Sequence, residues 1–571
     1  MRAHPRARRR SARRAGLLNA ETALKAEARS LLQQDRARDA VALALKNGPG
    51  GFAAEILAKA SLSIVRASGD FDFFFDAVER LEAESQARWP ELDAAAIWAL
   101  TLSGRLRLAS IRLDELEARI PRLLQEGRTF ILDYPRTPFD RNDPQTGMQC
   151  WTGLMRALIA SFAGESERAL KMAVEWRQSF PRATEYDLAT MHCATAHARV
   201  MLDRFAEAED DGLAALAAFR EEKIDSGLAW SAVCVAYPQI FYGRVAEANR
   251  LIEDTELRLS ADLKRPTRAN GPLRTVRTHA LFESGDLQQA LEQAQARLDS
   301  AAELPLVSFN CSDLAVTVRA LLALGRSAQA LTLFDHIKYT PPAEAAAWWN
   351  RRLTLERART AAVTGEVALL ACPAPHDLRD LMGLIADCRK RPTPVLLRPL
   401  RVLAQQAEDS RTGDALALFL FLKARVEHDT GNALQARRTV THLLTSSLLR
   451  ERVGSLASLA PGLQPMFNEA LRALLHDPPT ATENMRRLAA ILGQTSADAP
   501  STESSVKLSK RERQIAMVLF EGLSNRDIAE RLHLTEQTVK WHLWNLFQKL
   551  GVHNRTGAMR ALMKQGFVAE N

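Results

Sequence analysis

One interval constrains this chain more than any other feature. An apolar helix end, a Gly or Asp, a polar residue and then an Ala-containing helix recur at a nearly fixed step. The copies read Gly164-Glu-Ser-Glu-Arg-Ala-Leu170, Asp203-Arg-Phe-Ala-Glu-Ala208, Gly243-Arg-Val-Ala-Glu-Ala248, Gly285-Asp-Leu-Gln-Gln-Ala-Leu291, Gly325-Arg-Ser-Ala-Gln-Ala-Leu331 and Gly365-Glu-Val-Ala-Leu-Leu370. Their spacings are 39, 40, 42, 40 and 40 residues. A weaker copy starts at Gly431, and Gly69-Asp70 and Gly104-Arg105 resemble the same turn. A steady period near forty predicts stacked helix pairs, an α-solenoid. Gly makes the turn inside a pair, and the small Ala lets the second helix approach the first. One pair cannot bury its own apolar stripe, so the stack must supply the core.

Between residues 19 and 492 alanine and leucine are abundant and strand-like alternation is scarce, which predicts an all-α chain. The Pro-rich loops from Asp133 to Pro144 and from Lys264 to Pro272 are expected on the surface between pairs. Residues 493–506, GQTSADAPSTESSV, read as a flexible linker. The expected layout is a basic disordered arm (1–18), a helical-repeat domain (19–492), that linker, and a small C-terminal domain (507–571).

The C-terminal stretch Leu508–Val568 carries four helix signals. Ser509 with Glu512 and Ser524 with Asp527 are capping boxes, in which hydroxyl and carboxylate each satisfy an orphan N–H. Gly522 ends the first helix; Thr535 caps a third, ended by Gly551, and Asn554 caps a fourth that ends near Gly566. Helix, tight connection, helix is a helix-turn-helix layout. At about 100° per residue, Val539, Leu543, Leu546, Phe547 and Leu550 share an apolar arc. That arc should pack on Ile515, Val518, Leu519, Ile528 and Leu532. The adjoining arc carries Gln537, Lys540, Trp541, Trp544 and Gln548. Tryptophans away from the core suit a covered face. In a major groove Lys540 suits guanine, Gln537 suits adenine, and the indoles suit thymine methyls. Packing of the tryptophans against another protein domain is the competing reading.

LSKRERQI, EGLSNRDIAERL and TVKWHLWNLFQKLGVHNRT closely resemble the LuxR-type (GerE-type) DNA-binding domain over about sixty residues without a gap. The resemblance implies that the third helix enters the major groove and that the fourth makes a dimer contact. It implies base-reading positions at Lys540, Trp541 and Trp544, and backbone or supporting contacts at Thr538, His542, Arg526 and Lys549. Glu512 matches a first-helix glutamate with a capping role. Trp544 departs from the family, which more often has a small or basic residue there, so the bases read are left open.

The repeats look like elongated relatives of tetratricopeptide repeats, whose period is roughly 34 residues. More loosely, the body resembles the tetratricopeptide-like region of MalT-type regulators, from Arg38–Leu45 and Gly48 through Ser68-Gly69-Asp70 to Trp89-Pro90-Glu91-Leu92 and Trp98. The P-loop ATPase module of those regulators has no counterpart. No GxxxxGK[ST] occurs in the chain, and ATP binding is not expected. A branch without the ATPase and a piece of a longer protein are both open.

The net charge of +8 is uneven. Residues 1–14 hold seven Arg and no acid, and residues 507–571 hold eleven Lys or Arg against six acids, leaving −4 for the body. That split favours nucleic acid as a partner for the C-terminal domain and argues against it for the body. For the arm, a solvated tail is favoured over phosphate contacts. Six cysteines without a CxxC pair fit reduced, buried thiols in a cytoplasm. The longest apolar run, Ala415–Leu422, is far short of the roughly 20 residues of a membrane span.

No catalytic, cofactor or metal constellation is found. His192 and His197, flanking Cys193, fall on different helix faces. Trp348-Trp349 with Arg351 and Arg352 have two readings: inter-repeat core with surface arginines, which is favoured, or a ligand grip on the concave face. The expected function is sequence-specific binding of double-stranded DNA by a transcriptional regulator, an activator working as a dimer or higher oligomer. RNA polymerase and an unidentified effector on the solenoid are further expected partners. The alternative is a repeat scaffold for protein–protein binding with vestigial DNA binding.

Overall fold

The computed structural model of the chain describes residues 22–34, 36–47, 50–67, 69–128, 143–222, 224–259, 271–299, 306–337, 339–341, 343–477, 481–497, 510–520, 523–532, 534–549, 555 and 558–559. Regular structure among these residues is entirely helical, as the repeat predicts. The expected arm, 1–18, lies outside them. No described helix is long and apolar enough to cross a membrane. The chain forms two compact units, dividing between Leu492 and Gly493.

In the larger unit the forty-residue period resolves into antiparallel pairs. These are α1 (Pro144–Phe162) with α2 (Ser166–Ser179), α3 (Glu185–Met201) with α4 (Phe205–Glu222), α5 (Asp225–Phe241) with α6 (Val245–Arg258), α7 (Gly271–Ser284) with α8 (Leu287–Asp299), and α9 (Val307–Ala323) with α10 (Ser327–Leu333). The first helix of each pair packs on the first helix of the next, and α9 on α11 (Ala346–Thr364). These inner helices are buried nearly all round, whereas the outer ones bury one stripe.

The turns explain the motif. Gly164, Gly243, Gly285, Gly325 and Gly365 all have positive φ, between 71° and 92°, and φ is positive at Gly69, Gly104 and Gly431 too. The polar residue that follows sends its N–H back across the turn: Glu165 to the Ala160 carbonyl, Arg244 to Gln239, Asp286 to Leu281 and Arg326 to Leu321. Such a cap satisfies the orphan carbonyls of the first helix and needs a left-handed residue at its corner. Asp203 fills that corner with φ 61°. A side chain in this region costs roughly 1–2 kcal/mol, and its carboxylate pairs with Arg352.

Four expectations are modified. After Gly365 the chain makes only a 3-10 turn, Val367–Leu370, because Pro373 and Pro375 forbid a continuing helix. Pro144 and Pro272 are not loop residues; both sit in the first turn of a helix, where the missing N–H is no loss, and Pro272 is buried. The rest of those two loops, 133–142 and 264–270, lies outside the described residues. The helix Glu483–Ala497 runs into the stretch expected as linker, of which 498–506 is not described. Of the six free cysteines, five are buried and Cys372 is half-buried.

Beyond α11 the chain folds back. Helices α12 (Gly413–Asp429), α13 (Ala433–Thr445) and α14 (Val453–Leu459) follow, and α14 lies on the inner helices α7 and α9. Gly454 permits this approach: a Cβ there would meet the Phe282 carbonyl oxygen at 2.1 Å. One apolar core runs from Ala28 to Phe309 and a second from Met201 to Leu492, including the folded-back helices.

The smaller unit holds α15 (Lys510–Phe520), α16 (Asn525–Arg531) and α17 (Glu536–Lys549). Arg555, Ala558 and Met559, in the expected fourth helix, are helical too.

Candidate nucleic-acid interface

Among the described residues, the smaller unit is built around ten buried side chains: Ile515, Ala516, Val518, Leu519, Ile528, Ala529, Val539, Leu543, Leu546 and Ala558. The arc Val539, Leu543 and Leu546 of α17 thus meets Ile515, Val518, Leu519 and Ile528 as its periodicity predicts. Leu532 is partly buried beside them. Phe547 and Leu550 lie outside the described side chains.

Local signals fix how α16 and α17 begin. Ser524 caps α16 with a reciprocal box: its Oγ accepts from the Asp527 N–H at 3.3 Å, and Asp527 Oδ2 accepts from the Ser524 N–H at 3.1 Å. These bonds hold the Asp527 carboxyl below its ordinary range, the Ser524 side chain contributing most. Thr535 Oγ1 accepts from the Thr538 N–H at 3.2 Å at the start of α17. Ser509 and the side chain of Glu512, its expected capping partner, lie outside what is described. Arg555 donates to the Leu519 carbonyl at 3.1 Å, tying the fourth segment to the end of α15. Sequence reading did not single out that bond, which joins residues 36 apart.

The predicted contact residues divide by what is described. Arg526 and Lys540 are exposed. Lys540 Nζ stands 2.8 Å from Glu536 one turn earlier, an exposed pair. Such a pair is worth at most about 1 kcal/mol, so the ammonium is free to exchange partners. Glu536 was missed, although its i,i+4 spacing to Lys540 is visible in the sequence. Thr538 and His542 are half-buried, and Thr538 Oγ1 meets Thr535 Oγ1 at 2.7 Å. The side chains of Gln537, Trp541, Trp544 and Lys549 lie outside the described residues.

The second candidate, Trp348-Trp349, divides between its two readings. Trp349 is buried in the core and tilts against Tyr339 at 5.0 Å. Trp348 lines a cavity with Arg351 and Arg352, donating to the Met201 carbonyl at 2.9 Å. His192 and His197 do point apart. His192 meets Asp211 at 2.8 Å, and His197 is buried between Ser161 and Ser308, each at 3.0 Å, where burial lowers its pKa to about 4. Among the described residues no group of three or more His, Cys, Asp or Glu is placed to hold a metal ion.

Residues 506–562 match the family described as bacterial regulatory proteins, luxR family. The spore germination protein GerE of Bacillus subtilis is 38% identical over 64 residues, which are 11% of this chain and 86% of that protein. The CsgBAC operon transcriptional regulatory protein of Escherichia coli is 51% identical over 59 residues, 10% of this chain and 27% of the relative. The HTH-type transcriptional regulator AlkS of Alcanivorax borkumensis is 31% identical over 104 residues, 18% of this chain and 12% of the relative. The chain therefore spans about a quarter of the length of the CsgBAC regulator, and nearly the whole of GerE.

Proposed function

The chain belongs to the luxR family of bacterial regulatory proteins, a family of transcriptional regulators rather than enzymes, and from that premise we propose that it binds double-stranded DNA sequence-specifically. The observation that carries this reading is the capped α16–α17 pair on its own small core, with Arg526 and Lys540 exposed. Helix α17 is the reading helix. Lys540, Trp541, Trp544 and Gln537 meet base edges, and Thr538, His542, Arg526 and Lys549 meet the backbone or support those contacts. The charge partition supports the assignment, since residues 507–571 are net basic while the body is net acidic. The protein acts as an activator, as a dimer or higher oligomer that engages RNA polymerase. Its helical body, which loosely resembles the repeat region of MalT-type regulators, receives the signal or oligomerises.

The test is Lys540→Ala, followed by gel shift on a selected operator and on random DNA. A loss of about 1–3 kcal/mol confined to the operator is expected. An equal loss on both DNAs, with a shallower salt dependence, makes Lys540 a phosphate contact instead. Absence of any operator preference in the parent protein overturns the reading.

A further inference from the structure

The larger unit carries a partly open cavity of about 360 Å³. Its walls come mainly from the inner helices α3, α5, α7, α9 and α11 and from the start of α12, which folds back across them, with Phe205 of α4, Leu378 and Leu381 completing the lining. Phe205, Phe241, Leu355, Leu418 and Phe419 make much of it apolar. Four arginines stand among them: Arg319, Arg351, Arg352 and Arg359. Three are already paired. Arg319 bonds Glu356 at 3.1 Å and Asp414 at 2.9 Å, Arg351 pairs with Asp377, and Arg352 pairs with Asp203 while lying 5.3 Å from the Trp348 ring centre.

Arg359 differs. It is 4% exposed and, among the described residues, donates to neutral oxygens, the Ser455 carbonyl and Ser458 Oγ, each at 3.1 Å. Its Nε is buried without a hydrogen-bond partner, and among the described residues no carboxylate forms an ion pair with it. Burial and the nearby Arg319 and Arg452 push its pKa down to about 10, although Asp414 and Glu356 oppose them. A guanidinium in such a place is costly unless a counter-charge is supplied. Arg359 is thus a buried guanidinium that no carboxylate bonds directly, beside an apolar chamber, which is an arrangement that suits an amphipathic anion.

We propose that the cavity is a binding site for a small monocarboxylic acid, its carboxylate taken by Arg359 and its apolar body by Phe205, Phe241, Leu418 and Phe419. Because the walls include both the inner helices and the returning α12, an occupant bridges the two halves of the fold-back. Its use as an effector site rests on the signal-receiving role proposed for the body.

The experiment uses the full chain and paired probes, octanoate against octanamide and phenylacetate against phenylacetamide. Binding is read by calorimetry and by the thermal midpoint of the body. At least one acid is expected to raise the midpoint by about 2 °C or more near saturation, and its amide to leave it unchanged. Arg359→Met should weaken that acid by about tenfold or more, and Arg359→Lys by less. Should Arg359→Met fail to fold, Ala315→Phe fills the cavity from its wall without touching a charge, and should abolish binding. No response to either acid, an amide as effective as its acid, or unchanged binding in Ala315→Phe would each overturn the site. Acid binding that leaves operator affinity unchanged instead overturns the effector role, and loss of operator preference in the parent protein overturns the DNA-binding reading; neither touches the site.

Discussion

Arg452 is the residue on which the fold-back turns. Its side chain is fully buried, and its guanidinium lies 2.6 Å from Glu283 of α7 and 2.7 Å from Asp414 at the start of α12. Glu283 also accepts from the Ser455 N–H at 2.9 Å and the Ser455 hydroxyl at 2.7 Å, so the cap of α14 and the inner layer share one carboxylate. Burial alone would raise the Glu283 pKa, but Arg452, with His279 and Ser455, outweighs it and holds the group at about 2 against an ordinary 4.5. A carboxyl whose folded pKa is depressed contributes stability above its unfolded pKa and loses it as pH falls through the folded value. Arg452→Met leaves Glu283 buried without its cation and should cost about 3–5 kcal/mol at neutral pH. The difference from the parent protein, followed by denaturant titration at a series of pH values, should narrow as pH falls from about 4.5 towards 2. Pairing Arg452→Met with Glu283→Met should recover much of the loss, because an apolar pair no longer strands a charge. A double variant as unstable as the single one would show that Arg452 acts by shape rather than charge.

At the scale of the element, what was legible in the sequence was local. The turn motif was readable because a left-handed corner and a back-reaching N–H leave a Gly-polar signature, with Asp203 standing for Gly at one pair. The start of α16 was readable because both halves of its capping box lie within three residues. The α15–α17 core was readable because helical periodicity alone selects Val539, Leu543 and Leu546. The fold-back was not readable. Arg452 and Glu283 are 169 residues apart, and neither carries a local sign of its partner. The same holds for the cavity, where Trp348, Arg352 and Asp203 meet across a span that no period announces. Helix α14 gives the element-scale prediction. Gly454→Ala places a methyl against the Phe282 carbonyl, and backbone on both sides leaves little room to yield. The expected cost is about 1–3 kcal/mol or more. Gly383→Ala is the control, since that exposed helical glycine has nothing within 4 Å of its Cβ position and should gain about 0.5–1 kcal/mol. Equal effects at the two sites would mean that α14 does not seat closely on α7.

At the scale of the whole molecule, the two units differ in charge, in core and in what they resemble. The body's apolar clusters run through successive pairs, so its stability is shared along the stack. The smaller unit closes its own core, with ten buried side chains among its described residues, all from 515–558. The alignment with GerE of Bacillus subtilis covers 86% of that protein, so a chain of little more than this domain exists by itself. We therefore place a boundary between independently folding parts within 493–506. A fragment of residues 507–571 should keep its far-ultraviolet helical signal and bind the operator. A fragment of residues 19–492 should unfold at the same midpoint as the body of the full chain and bind no DNA. If the short fragment is helical but binds operator more weakly than the full chain, by a factor that vanishes when two copies are fused, the missing contribution is dimerisation through the body. If it is not helical, the smaller unit depends on the body for its fold, and the boundary is wrong.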